Sequence, residues 1–401
     1  MRVLLGAFGD PGHVFPLMAL GRRLRERGHE PWLHSSERWR RAAEAEGIGF
    51  LPAPSIQVLP GVRGPLKPFE AVRWSVPVVR ETLRALRPDV VVADILTLAP
   101  ALAAELEGIP LATCIPHVDP RPAPGTWPYA LGARLPRTRL GRRIAERASH
   151  EIQDRGLAQG ERELDGTRSR VGLPPAGRVH GGISRALALV ATFPQLEYPR
   201  PPEPGTHVVG PLQWEPDAAP VELPPGDDPL VLVAPSTSQD PEHRMLRAAL
   251  EGLADLPVRV LATYNRRVPD PPLGPLPANA RLVEWVSYAR TMPLCDVVVC
   301  HAGHGTICRA LLDGVPVVAC PAAGDMNENA ARVDWAGVGV RLPRRHITPT
   351  GLRLAVGRAL GEPGFAARAR DLAAWGAAHD PTGDAVDLLE ELAAPERVGS
   401  L

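Results

Sequence analysis

Short, wholly apolar runs that stop at a turn and give way to helical apolar spacing recur along this chain, and they leave few folds open. Residues 2–8 (RVLLGAF) and 89–93 (DVVVA), then 230–234 (LVLVA) and 296–300 (DVVVC), read as strands buried on both faces. After the first of them, Leu17, Leu20 and Leu24 carry helical spacing over residues 16–27, ending near Gly28. The first half continues with a strand at 31–34, helices at 37–47 and 97–107, and a strand at 109–114. In the second half helices at 241–254 and 305–313 alternate with strands at 258–262 and 315–320. Helices at 327–335, 350–360, 365–378 and 384–393 follow. This alternation predicts parallel, doubly wound α/β sheets.

Prolines and glycines crowd residues 198–229, in YPRPPEPG and ELPPGDDP, as they do in linkers. With 401 residues, two domains are expected. The reading is an N-terminal domain at 1–213, a linker at 214–229, a second domain at 230–378, and a terminal helical segment at 379–401 packing back toward the first. Residues 115–180 are less regular, with a basic amphipathic stretch at 134–147 that reads as a solvated helix face or the wall of a cleft. Ligands of such sheets bind beyond the carboxyl ends of the strands, so two facing domains would hold theirs between them.

Charge adds exclusions. Lys+Arg and Asp+Glu are both 45, which announces no nucleic-acid or membrane-surface partner. The five cysteines (Cys114, Cys295, Cys300, Cys308, Cys320) are odd in number, form no CxxC and lie mostly in apolar runs, as reduced, buried thiols do. No apolar stretch approaches the ~20 residues of a membrane span, and the N-terminus lacks a signal-peptide pattern, so a cytoplasmic protein is expected.

The segment HAGHGT, His301–Thr306, follows the strand DVVVC and opens a helix. Unpaired N–H groups at a helix start carry the positive end of the dipole, and Gly303 and Gly305 let the backbone approach an anion closely. His301 can donate a charge-assisted hydrogen bond and Thr306 a hydroxyl. No carboxylate or cysteine completes a metal-ligand set around His301 and His304, and no metal is expected. Upstream, LVEWVSYARTMPLCDVVV sets Trp285 before the strand. Downstream, GVPVVACPAAGDMNENA sets Pro316, Pro321, Asp325 and Asn329 after it. In the first half, GAFGDPGHVFP puts His13 at the end of the first strand, with Asp10 as a turn residue. VADILTLAPALAAELEGIP puts Asp94 at the same edge of the same sheet, where it can orient an imidazole or cap the next helix.

Together these segments resemble family 1 glycosyltransferases of the bacterial natural-product, macrolide type. The resemblance runs through the whole chain and is strongest at the two loops. It implies the GT-B fold: two Rossmann-like, doubly wound domains facing across a cleft. It implies that the nucleotide base stacks on, or is read by backbone groups of, the Trp285–Val286 region, that His301, Gly303, Gly305 and Thr306 hold a diphosphate with His304 lining the pocket, and that Asp325 binds sugar hydroxyls. Ser236 and Thr237, in APSTSQD, would line the same pocket. His13, in G-H-x-x-P, would be the general base and Asp94 its partner. Three positions depart from the pattern. Ser287 follows Val286 where many members have Pro-Gln, Arg309 stands where plant members carry a ribose-binding glutamate, and Met326 replaces a glutamine after Asp325. Met326 is a poor partner for a hydroxyl, which favours a thymidine-linked deoxysugar.

The expected reaction is therefore an inverting, metal-independent transfer from a dTDP- or UDP-sugar to a hydroxyl of an apolar small molecule. The nucleotide sugar is a co-substrate and no cofactor is expected. Phe15, Phe69, Trp74, His117 and Trp127 are the candidate acceptor contacts, though core packing explains aromatic residues as well. A monomer or homodimer is expected. The rival readings are a silent homologue serving as helper or binding protein, a nucleotide-sugar epimerase, and a dinucleotide oxidoreductase, which would need a GxGxxG after the first strand that this chain lacks.

Overall fold

The structure, a computed structural model, describes residues 1–53, 68–177, 180–236, 240 and 242–394, with backbone alone at 68–71. The first half runs β1 (Arg2–Gly6), α1 (Pro11–Glu26), β2 (Glu30–Ser35), α2 (Arg40–Ala45), β3 (Gly49–Pro52), α3 (Pro68–Leu86), β4 (Val90–Asp94), α4 (Leu98–Glu107), β5 (Leu111–Ile115), α5 (Arg139–Val171), β6 (Leu187–Val190) and β7 (Thr206–Val208). These strands form one parallel sheet in the order β3-β2-β1-β4-β5-β6-β7. The second half runs β8 (Leu230–Ala234), α6 (Arg244–Leu253), β9 (Arg259–Thr263), β10 (Ala280–Val283), α7 (Tyr288–Thr291), β11 (Val297–Cys300), α8 (His304–Leu312), β12 (Val317–Ala319), α9 (Met326–Ala336), β13 (Gly339–Arg341), α10 (Pro349–Gly361), α11 (Pro363–Ala378) and α12 (Pro381–Ala393). Its sheet, also parallel, has the order β10-β9-β8-β11-β12-β13.

The unbroken apolar runs follow from helices covering both faces of each sheet. Successive side chains of a strand point to opposite faces. Val3 and Leu5 of β1, with Val90 and Val92 of β4, enter the core beneath α1. Leu4, Val91 and Ala93 enter the core beneath α3 and α4. The second sheet divides in the same way, Val231, Val233, Val297 and Val299 on one face and Leu232, Ala234, Val298 and Cys300 on the other.

The strand order reverses between β1 and β4 in one sheet and between β8 and β11 in the other. Such switch points open a crevice at the carboxyl edge, because the two flanking connections leave toward opposite faces. The halves also share apolar packing: Val118, Phe193 and Leu196 join Ile307, Leu311, Ala330 and Val333 in one core. α12 crosses back onto α1, where Ala385, Val386 and Leu389 enter the first core, His29 Nε2 lies 2.7 Å from Glu390 Oε1, and Arg23 and Arg27 pair with Asp380 and Asp387.

The sequence reading misses α3, all of α5 beyond the basic stretch at 134–147, and the strands β3, β6, β7, β10 and β13. Along its 33 residues α5 buries Ala145, Ser149, Leu164, Thr167 and Arg168, so it has no continuous apolar stripe to read. It is held instead by a Thr138 hydroxyl accepting from Gly141 N–H at 3.0 Å, and by a fork of Arg168 onto both oxygens of Glu105 at 2.6 Å. The edge strands β7 and β10 are too short and too exposed to give a period. Among the described residues no helix is long and apolar enough to cross a membrane.

Close packing at one glycine yields a stability prediction. A Cβ on Gly339 would sit 1.9 Å from the carbonyl oxygen of Val317, its neighbour in the β12–β13 register. Gly339→Ala is therefore expected to cost about 1–3 kcal/mol through displaced backbone. A urea melt checks it, and an unchanged midpoint would contradict the register.

Candidate active site

His13 stands in the first turn of α1, which starts at Pro11 and not at residue 16 as its apolar spacing predicts. Pro11 needs no N–H at a first helical position, and Asp10 precedes it as the N-cap residue. Pro16 lies inside the helix and cannot donate to the Gly12 carbonyl. This early start carries His13 to the crevice between β1 and β4. There its Nδ1 lies 2.8 Å from Asp94 Oδ1. The other oxygen of Asp94 accepts from Phe8 N–H at 3.3 Å and from the Thr97 hydroxyl at 3.1 Å, which fixes the carboxylate in place. Burial disfavours the imidazolium, but the Asp94 charge and hydrogen bond outweigh it, with smaller help from Asp10 and Asp325, and His13 titrates above its ordinary value. With Nδ1–H held by Asp94, Nε2 is the basic nitrogen.

The second half repeats this device at its own switch point. His301 follows β11 and is 3% exposed. Its Nδ1 accepts from Ser236 N–H, beyond β8, at 2.7 Å, and its Nε2 lies 3.2 Å from Asp240 Oδ2. Burial pushes the Asp240 carboxyl up, but the hydrogen bond from His301 wins and brings it to about 2. Both ring nitrogens of His301 thus have protein partners. The ring thereby ties the ends of β8 and β11 together at the cleft. The helix start beside it is open. Gly303 is the N-cap of α8 without a side-chain cap bond, and the first intrahelical bond runs from Ile307 N–H to Gly303 O at 3.1 Å. The amides of His304, Gly305 and Thr306 precede that bond. Burial pushes His304 down to about 3, so its ring is neutral. Asp325 is the N-cap of α9, with Asn329 Nδ2 donating to its Oδ2 at 3.3 Å and to Ala302 O at 3.0 Å.

Both switch points open on one cleft of about 760 Å³. His13, Phe15 and His117 line it from the first half. Ser236, Trp285, His301, Gly303, His304, Gly305, Thr306, Asp325 and Met326 line it from the second. Several expected contacts lie elsewhere. Val286 is 1% exposed, with its side chain in the core because the chain turns inward after the half-buried Trp285, so of the two expected modes only the reading of a base by backbone groups is open to it. Trp74 is 71% exposed on α3 beneath the Arg73 guanidinium and is not on the cleft wall. Trp127 is also off the wall, its Nε1 donating to Arg134 O at 3.2 Å. The side chain of Phe69 and the whole of Thr237 lie outside the described residues.

Comparisons with known proteins give the family and the fold. Residues 247–392 match the family model of the erythromycin biosynthesis protein CIII-like C-terminal domain, and residues 17–186 match Glycosyltransferase Family 4. The 4'-demethylrebeccamycin synthase of Lentzea aerocolonigenes is 32% identical over 427 residues, covering 98% of this chain and 99% of its own. The chain belongs to the natural-product glycosyltransferases. The O-mycaminosyltylonolide 6-deoxyallosyltransferase of Streptomyces fradiae is 29% identical and also spans 98% of each chain. The solved glycotransferase of kitacinnamycin superposes with a TM-score of 0.75 at 25% identity, covering 98% of both chains, and the fold is GT-B.

This glycosyltransferase has cleft residues that the sequence reading overlooks. Trp214 and Glu215, assigned to the linker or its border, line the wall and pin it to both halves. Trp214 Nε1 donates to Glu46 Oε1 at 2.7 Å. Glu215 accepts from the Tyr288 and Ala289 amides at 3.0 Å and from the Ser287 hydroxyl, and so caps α7. Arg266 lies 5.0 Å over the Trp285 ring, and Tyr288 stacks near that ring at 6.3 Å. A proline-rich stretch gives no period, so its cleft contacts could be found only in three dimensions.

Proposed function

We propose that this glycosyltransferase moves a sugar from a dTDP- or UDP-sugar to a hydroxyl of an apolar small molecule, inverting the anomeric carbon without a metal ion. One observation carries the reading: His13, held from behind by Asp94, and the open start of α8 line the same cleft from the two halves of the chain. In this scheme His13 Nε2 removes the acceptor proton as the oxygen attacks. Asp94 holds the ring in the required tautomer and stabilises the imidazolium, helped by Asp10 and Asp325. The departing diphosphate is met by the Gly303–Thr306 amides and the helix dipole. His301 supports these groups through Ser236 and Asp240, and Trp285 offers its face to the nucleotide base. Attack from one wall and departure toward the other invert the configuration.

The donor reading is a thymidine nucleotide. Arg309, on the cleft wall, is turned onto Asp313, with Nε 2.9 Å from Oδ2, and brings no carboxylate to a ribose 2'-hydroxyl. Met326 accepts hydrogen bonds weakly at best. One missing neutral hydrogen bond corresponds to about 3–10-fold in affinity, so dTDP is expected to bind at least as tightly as UDP. Mixing the enzyme with dTDP-glucose or UDP-glucose and a panel of aromatic and macrolide acceptors tests the whole scheme. Release of nucleoside diphosphate with a β-linked product from an α-linked donor is expected. A retained anomer, or a marked preference for UDP-glucose, would overturn the mechanism or the donor assignment respectively.

A further inference from the structure

His117 lies two residues beyond β5, whose neighbour in the sheet is β4, with Cys114 opposite Asp94. It therefore emerges at the same edge as the His13–Asp94 pair and lines the same cleft. Its ring is fixed in both orientation and tautomer. Nδ1 is 2.7 Å from the carbonyl oxygen of Val118, which can only accept, so Nδ1 carries the proton. The Tyr129 hydroxyl is 3.2 Å from the same nitrogen, and the Tyr129 ring stacks on the imidazole at 5.7 Å. Burial pushes the ring below its ordinary value against the Val118 hydrogen bond and the pull of Asp325 and Asp94, and His13 acts in the same direction as burial. Nε2 is then a bare lone pair, with no hydrogen-bond partner among the described residues.

On the other wall, Asp325 brings a second group that only accepts. A diphosphate here would face lone pair against lone pair, and a purely apolar ligand would strip water from Nε2 without replacing it. A hydroxyl-bearing ring satisfies both groups. We propose that His117 is a specificity-determining residue whose Nε2 accepts a hydrogen bond from a hydroxyl of the transferred sugar. This rests on the nucleotide-sugar reading above.

Calorimetric titration of dTDP and of dTDP-glucose into the wild type, His117→Phe and His117→Gln tests it. His117→Phe is expected to lose about 3–10-fold of its dTDP-glucose affinity and none of its dTDP affinity. Gln, whose amide oxygen reaches the place of Nε2, recovers most of the loss. Unchanged dTDP-glucose affinity in His117→Phe, or equal losses for both ligands, would overturn the proposal and leave the donor site standing. Failure of the wild type to bind either ligand, or UDP and UDP-glucose in their place, would overturn the donor reading and this one with it. A wild type that gained nothing from the sugar would overturn this one alone. Should His117→Phe not fold, the ¹⁵N resonances of the wild-type imidazole give the answer. The unprotonated Nε2 signal of His117 shifts with dTDP-glucose and not with dTDP, and a signal indifferent to both overturns the assignment.

Discussion

His13→Ala is expected to lower turnover on a hydroxyl acceptor by about 10²–10⁴-fold while dTDP binding stays unchanged. The two effects separate because His13 belongs to the first half, whereas α8 and the Trp285 region belong to the second. The pH dependence follows from the same contacts. A general base works only when unprotonated, and His13 holds its proton above the ordinary imidazole value of 6.5. The rate at low substrate is therefore expected to rise with pH through a value above 6.5 and then level. In Asp94→Asn the burial remains and the carboxylate charge is gone. The rising limb then moves to lower pH, and the plateau drops because the ring is no longer held with Nε2 free. Rate profiles of the wild type and both variants check this. Near-normal turnover by His13→Ala, or a limb that stays put in Asp94→Asn, would remove the base assignment.

Arg332→Ala is expected to cost about 3–5 kcal/mol, as the truncation of a buried ion pair does. Arg332 is 4% exposed, with Nε 2.9 Å from Glu328 Oε1 within α9 and Nη1 2.9 Å from the Leu196 carbonyl of the first half. Its guanidinium lies 3.4 Å from the centre of the Tyr198 ring, and Glu197 Oε2 is 3.5 Å away. Burial already pushes the Glu197 carboxyl up, against Arg332 and Arg200. Removing Arg332 strands the buried Glu328 and an unpaired carbonyl at the contact between halves. The double change Arg332→Met with Glu328→Leu is expected to cost less, because Glu328 is then not left unpaired and Glu197 keeps Arg200 as its partner. Urea unfolding of the three proteins measures the difference, and a loss below about 1 kcal/mol in Arg332→Ala would refute the account. α9 begins at Asp325 and Met326, so the same variant is expected to loosen the donor side of the cleft.

The apolar runs at β1, β4, β8 and β11 were legible because each is buried on both faces, which makes every residue apolar. The edges of the sheets were not, because half-exposed strands of three or four residues carry no period. α5 was hidden for a related reason: its face toward the protein is a short set of contacts, including one buried arginine, and not a stripe. At the site, His13 and Asp94 could be paired from the sequence, since each ends or follows a strand of one sheet. His301 could be located but not given its ring contacts, because Ser236 and Asp240 lie more than sixty residues away.

The sequence by itself determined the doubly wound architecture, the two loops that meet at the cleft and the kinship with glycosyltransferases. All of these are written in local order, as strand, turn and helix. Tertiary structure alone decided which side chains share the cleft. It turned Val286 into the core, left Trp74 in solvent, brought Trp214 and Glu215 to the wall and tied both nitrogens of His301 to protein partners. Those outcomes depend on how two sheets and their connector pack against one another, and contacts between distant segments leave no period in the chain.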